Sequence, residues 1–431
     1  MIREAEALRF ISVRQKLARP RILDISSHMR RILARPMLAG LPEDAQVAVT
    51  VGSRGISGID VIARETLDFL KENGLSPCLI PAMGSHGGAN AKGQLKLLGG
   101  YNITEKSMGV PVKADMETLK IGSTDNGFPV FFSRAAMNCG AVIPINRIKA
   151  HTNFRGAIES GLCKMLVVGL GKHKGAETIH KCGFDQMSDN IKDAYSAIMK
   201  KIFVPFGIAI IENAYGEAAS IECVPGSMLL SREPKLLIHA KELAPSIPFA
   251  KIDILIVEEM GKEISGDGMD TNIIGRYATK NVLPIPGTPD INSIVVLGLT
   301  PLSHGNAIGI GYADYTTKRL VNAIDYNVMY TNALTASAPQ ACRIPIAFEN
   351  DVSSISAAIR TAPGVSGKSV KAVWIKNTLN LEIMKVSQAL EPEMRNNNNI
   401  ELYGEFSPMP FDDMGFLIKT VDKNKNESWN Y

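Results

Sequence analysis

Cysteine, aromatic side chains and long apolar runs are all scarce in this chain. Its six cysteines (Cys78, Cys139, Cys163, Cys182, Cys223 and Cys342) lie far apart and form no C-x-x-C pair. That pattern argues against a disulfide scaffold or a structural zinc site and fits reduced thiols in a cytoplasm. Aromatics make up 6% of the chain, too few for a base-stacking platform. Net charge is also small: 47 Lys and Arg against 43 Asp and Glu leave +4, spread along the sequence. No basic stripe marks a nucleic-acid partner. The longest stretch free of Lys, Arg, Asp and Glu, residues 291–313, contains Asn292, Pro301, His304 and Asn306, which excludes a membrane span. No charged segment followed by an apolar run opens the chain, so no secretory signal is expected.

What remains is an ordinary globular composition, 45% hydrophobic and 21% charged over 431 residues, long enough for two or three domains. The N-terminal arginines, among them Arg3, Arg9, Arg14, Arg30 and Arg31, are interrupted by Glu4, Glu6 and Asp24 and read as a solvated helical face.

A strand, loop, helix unit recurs. Residues 45–51 form an apolar β-branched run ending in Gly52-Ser53-Arg54-Gly55, followed by a helical pattern over 59–73. Residues 76–83, the loop Gly84-Ser85-His86-Gly87-Gly88 and the helical pattern 89–98 repeat it. A third strand at 140–145 leads into Asn146-Arg147-Ile148-Lys149-Ala150-His151. Between them, 119–132 with Asp125-Asn126-Gly127 reads as a hairpin. A second series starts near Ile252: strands at 253–257 and 293–297, polar loops at 258–270 and 301–313, a helix at 314–324, and more sheet at 370–374 and 379–384. The fold expected is α/β: two α/β domains with mostly parallel sheets and the active site in the cleft between them. The boundaries expected are 1–248 for the cofactor-binding and catalytic domain, 249–404 for the second, and 405–431 for a C-terminal segment able to pack back on the first. The last residues, from about Asn424, read as frayed.

In such sheets ligands bind beyond the carboxyl ends of the strands. His86 and His151 each follow a predicted parallel strand, and Arg54 ends a third, about one strand spacing of 5 Å away. Two histidines on opposite walls suit proton exchange at either face of a carbon, and an arginine suits a carboxylate. Each also has a plainer reading as a solvated histidine or a surface ion pair. Lys164 stands alone in the apolar run Gly161-Leu162-Cys163-Lys164-Met165-Leu166-Val167-Val168, where burial lowers its pKa toward nucleophilic use. The glycines and lysines that follow match neither phosphate-loop pattern. His180, on a helical stretch, is a candidate ligand for a borderline metal.

In order and context these residues resemble the nickel-pincer-nucleotide lactate racemase family. The resemblance implies Arg54 as the substrate-carboxylate arginine, His86 and His151 as acid/base histidines, Lys164 as the lysine tethering the nucleotide, and His180, sixteen residues on, as the nickel ligand. The activity implied is inversion of C2 of a 2-hydroxy acid (lactate-like, dicarboxylic or sugar acid) by hydride transfer to the nickel-pincer nucleotide. The small acid is then the partner, and no nucleic acid or membrane is implied.

The chain departs from that pattern in two places. The segment from His151 to Lys164 is three residues longer and carries Asn153-Phe154-Arg155 and Glu159. The tyrosine-glutamine pair that should fall near Ile274-Gly275 is absent. Polar loops with Lys262, His304, Asn306 and Asp314 offer other hydrogen bonds to a longer, hydroxylated acid, or simply cap their own loops. Two further readings stand beside the racemase: a non-catalytic binding protein for an anionic metabolite or nucleotide, and a cofactor-independent isomerase.

Overall fold

A computed structural model describes residues 4–280, 282–364 and 367–418; the expected frayed end from Asn424 lies outside them. The described residues form fifteen strands. In chain order the first eight are β1 (Arg9–Gln15), β2 (Gln46–Val51), β3 (Ser76–Pro81), β4 (Thr118–Ser123), β5 (Pro129–Ser133), β6 (Ala141–Arg147), β7 (Phe206–Glu212) and β8 (Ala218–Pro225). Then come β9 (Lys251–Val257), β10 (Asp290–Val296), β11 (Tyr315–Thr317), β12 (Ile346–Phe348), β13 (Ala372–Ile375), β14 (Ile383–Ser387) and β15 (Ile400–Pro408).

The chain is α/β with mostly parallel sheets. One sheet has the order β3-β2-β6-β7-β8, parallel throughout except for the β7–β8 hairpin. The other runs β12-β11-β10-β9-β13-β14-β1-β15, parallel from β12 to β13 and antiparallel beyond. β4 and β5 form the expected hairpin. The parallel strands are covered on both faces, so they read as unbroken apolar runs: Val47, Ala48 and Val49 are fully buried, as are Ile254, Leu255 and Ile256. Each buried Val, Leu or Ile among them contributes about 1.5–3 kcal/mol of burial.

Three local readings change. Arg9–Gln15, expected on a helical face, is a strand whose residues alternate between buried and exposed in its second half; the solvated helix comes later, at Ile25–Ile32. The expected helix at 314–324 starts as β11, because Tyr315 and Thr316 pair with Val295 and Val296. Helix begins only at Lys318, after Thr317 accepts Leu320 N–H through its hydroxyl. The strand expected at 379–384 is displaced to Ile383–Ser387, because Asn377 folds the preceding residues into a turn by accepting the N–H groups of Leu379 and Asn380.

The termini also differ from expectation. β1 and β15 pair with each other within the second sheet, and Phe411 and Leu417 pack on the same core as Val352 and Trp374. Residues 9–15 therefore belong with the second layer, and the described part of 405–431 stays there rather than returning to the first.

Candidate active site between the two layers

The first site segment follows β3. Its loop turns through glycines with left-handed φ, +57° at Gly84 and +69° at Gly87, conformations that a β-carbon would penalise. Three ties hold it. Gly84 N–H donates to Gly169 O at 3.0 Å, the buried Gln94 amide donates to the carbonyls of Gly84 and His86, and Lys172 Nζ donates to Pro81 O at 2.8 Å. His86 projects from this loop with Nδ1 on the Ser53 hydroxyl. Ser53 O in turn accepts Tyr101 Oη–H at 2.8 Å.

His151 rides on the loop after β6, which is closed by reciprocal Lys149 and Ser160 backbone bonds. Its Nδ1 accepts Asn153 N–H at 3.0 Å, and its ring lies 4.2 Å from that of Phe154. Its own N–H donates to Glu159 Oε2 at 2.7 Å. Both imidazoles are thus held at Nδ1, and Nε2 of each has no protein partner among the described residues. Because Asn153 donates, a neutral His151 carries its proton on Nε2. The Ser53 hydroxyl can donate or accept, which leaves the His86 tautomer free.

Lys164 ends a single helical turn, Leu162–Lys164, that continues into a wider π-turn, Met165–Gly169. π-turns recur at functional sites because the extra residue re-aims a side chain. Glu233, 2% exposed, caps the turn by accepting Cys163 N–H at 2.9 Å, while Asn146 Nδ2 donates to Gly161 O at 2.9 Å. Gly169 leaves room for β3 to end against the turn, since a β-carbon there would lie 2.6 Å from Ala82 O. Lys164 Nζ makes no hydrogen bond or ion pair among the described residues and lies 5.9 Å from the centre of the Phe154 ring. His180, on the helix Lys172–Lys181, stacks on Phe184 at 5.4 Å and likewise has no hydrogen-bond partner there.

These groups feel one another. Burial, then Arg54, Lys164 and Lys262, pull the His86 imidazole down to about 3, although its side chain keeps solvent access at the cleft. Burial, then Lys164, lowers His180 to about 4 and His151 well below its ordinary value. All three are neutral at pH 7. Burial and Arg54 bring Lys164 to about 8, leaving part of it as free amine near neutrality. The five residues singled out from the sequence, Arg54, His86, His151, Lys164 and His180, therefore lie within electrostatic reach of one another.

The second layer closes that cleft. A β-carbon on Gly266 would lie 3.0 Å from Arg54 Nη2. Asp267, 5% exposed, accepts Asn153 Nδ2 at 3.1 Å. Thr271 Oγ1 donates to Thr152 O at 2.7 Å. Arg155 donates to Asn272 Oδ1, to Tyr277 Oη at 2.8 Å and to Leu283 O at 3.2 Å. The segment after His151 thus ties to the second layer through Thr152, Asn153 and Arg155. Glu159, fully buried at its side chain, takes Lys241 at 2.6 Å and Arg155 at 3.6 Å.

Of the second-layer polar residues noted in the sequence, Lys262 reaches the cleft. Asp314 is an internal brace, paired with Arg276 at 2.7 Å and accepting Ile294 N–H. Asn306 is bonded to Asn332, and His304 is an exposed cap at φ +46°. Asp267, Glu233 and Tyr101 carry no local sequence signal beyond the acidic glycine-rich loop around Asp267.

Among the described residues no three His, Cys, Asp or Glu side chains lie together as a metal site, and no helix is long and apolar enough to cross a membrane. A metal in this cleft has His180 as its candidate protein donor and must arrive with ligands of its own. An unpartnered amine beside an unpartnered neutral imidazole fits a nucleotide that carries those ligands and bonds to lysine.

The sequence matches no protein-family model and none of the curated proteins. Among solved structures, a Thermotoga maritima protein is 15% identical over 82% of this chain and 96% of its own, with a TM-score of 0.46. The lactate racemase apoprotein from Thermoanaerobacterium thermosaccharolyticum is 13% identical over 86% of this chain and 98% of its own, with a TM-score of 0.51. The chain and the lactate racemase apoprotein share a fold.

Proposed function

We propose that this chain is an isomerase that inverts C2 of a 2-hydroxy acid. The observation that carries the reading is the pair His86 and His151, each fixed through Nδ1 with Nε2 unengaged, in one cleft with an unpartnered Arg54 and an unpartnered Lys164. Arg54 forks the C1 carboxylate and so fixes C2 between the histidines. His86 enters as the base for the C2 hydroxyl proton, because the Ser53 contact lets Nδ1–H donate while Nε2 accepts. His151 keeps its proton on Nε2 and hydrogen-bonds the C2 oxygen, and the imidazolium formed at His86 returns its proton to that oxygen after inversion; reaction from the other enantiomer exchanges these parts once Asn153 N–H releases Nδ1. Lys164 would hold the nickel-pincer nucleotide through its side-chain nitrogen, and His180 would be the protein donor to its metal. When bound, that group supplies the acceptor for the C2 hydride.

The test combines metal content with isotope fate. The protein, purified from a host that makes the nucleotide, is expected to hold stoichiometric nickel, lost in Lys164→Ala and His180→Ala. Inversion of a C2-deuterated acid is expected to retain the label, and His86→Ala or His151→Ala to slow it by about 10²–10⁴-fold with nickel still bound. Solvent hydrogen at C2 would overturn hydride transfer in favour of direct proton exchange. A bound acid with no inversion at all would leave a binding protein.

A further inference from the structure

Gly266 lies between two cations from opposite layers. On one side its missing β-carbon position is 3.0 Å from Arg54 Nη2; on the other its carbonyl accepts Lys262 Nζ at 2.5 Å. The two positive groups are thus about one residue's width apart. Neither touches a carboxylate. Arg54 has no hydrogen bond or ion pair among the described residues. Lys262 gives two of its three N–H bonds to neutral oxygens, Gly266 O and Asn332 Oδ1 at 2.8 Å. The carboxylate that both feel is Asp267, and its side chain is engaged by Asn153 and Thr152.

Two cations held this close repel each other unless an anion lies between them, and more strongly where protein displaces water. A single carboxylate satisfies the fork of Arg54. Lys262, fixed from the other layer and with one N–H free, is left over. Two polar pairs beside it are already satisfied: Thr300 Oγ1 with Ser303 Oγ at 2.8 Å, and Asn306 Nδ2 with Asn332 Oδ1 at 3.0 Å. What is left over beside these pairs is an ammonium N–H, which a second anion can take.

We infer that the acid carries a second carboxylate: a short 2-hydroxy dicarboxylate, with C1 on Arg54 and the distal carboxylate on Lys262. This rests on the isomerase reading for the identity of C2. The charge pattern agrees, since His86 is within electrostatic reach of both cations and C2 of an acid strung between them lies beside that imidazole.

Calorimetric titration of the purified protein at low salt, with malate, lactate and inorganic phosphate, tests it without reference to turnover. Malate is expected to bind roughly 10- to 100-fold more tightly than lactate. Lys262→Gln is expected to remove that preference, weakening malate far more than lactate; Lys262→Arg, which keeps the charge, retains it should the glutamine variant fold poorly. Equal affinity for the two acids overturns the proposal. So does a Lys262→Gln variant that weakens both equally, which would put Lys262 on the shared carboxylate. Phosphate binding more tightly than malate overturns it too and gives the cation pair to a nucleotide phosphate. Preference for malate without inversion at C2 leaves the dicarboxylate site standing and removes the isomerase reading alone.

Discussion

Asn153 serves both layers at once: its backbone N–H seats Nδ1 of His151, and its side-chain amide holds Asp267 Oδ2 at 3.1 Å. The position of an acid/base candidate is thereby coupled to the contact between the sheets. Asp267 is buried, which raises its pKa, so its carboxylate depends on the few donors it has.

Arg155 makes three hydrogen bonds in that contact, to Asn272, Tyr277 and Leu283. Arg155→Ala removes its bonds to Asn272, Tyr277 and Leu283 together with its stacking 4.9 Å from the Tyr277 ring centre. A loss of about 1–3 kcal/mol is expected in denaturant unfolding, with amide exchange accelerated first around 272–283. Lysine at 155 cannot reproduce the fork and is expected to recover little. Wild-type exchange in that segment would show that the layers are held elsewhere.

Lys164 is expected to acylate with a midpoint near pH 8, the value to which burial and Arg54 bring it, while ordinary lysines follow at about 10.4. Competitive labelling with acetic anhydride across pH, read by mass spectrometry of the peptide, measures this directly. Arg54→Gln removes a neighbouring cation and should move the midpoint upward. A midpoint at the ordinary value in the unaltered protein would mean that the amine is fully solvated.

Much of this was legible beforehand, for physical reasons. Parallel strands buried on both faces leave apolar runs punctuated by glycine loops, so β2, β3 and β6 and the residues that follow them, Arg54, His86 and His151, could be read locally. Lys164 stood out as one charge in an apolar stretch. β1 did not, because RFISVRQ sits among arginines and its partners lie near residues 385 and 403. Arg155 and Lys262 likewise gain their meaning from groups more than sixty residues away, which no local pattern encodes.

Glu233 supplies a pH test. Burial pushes its carboxyl up to about 7, whereas in the unfolded chain it ionises near about 4.3. Between these values the folded state holds the extra proton, so the Glu233 contribution to stability falls as pH rises and levels off above about 7. Glu233→Gln should therefore gain on the wild type by roughly 2–4 kcal/mol between about pH 4.5 and 7.5, measured by urea unfolding at both. A difference that does not change with pH would mean that Glu233 titrates as an exposed carboxylate.

The pairing of β1 with β14 and β15 governs how the chain assembles during synthesis. The strands of the first sheet are all translated by residue 225, so that layer can form its core while the ribosome is still at work. The seven residues of β1 emerge before any of it, yet their neighbours in the sheet are made only from Ile383 and Ile400 onward. Until then β1 is an unpaired, half-apolar strand, the kind of segment on which chaperones and premature aggregation act. Shortening the chain at its far end should thus harm the fate of its first residues.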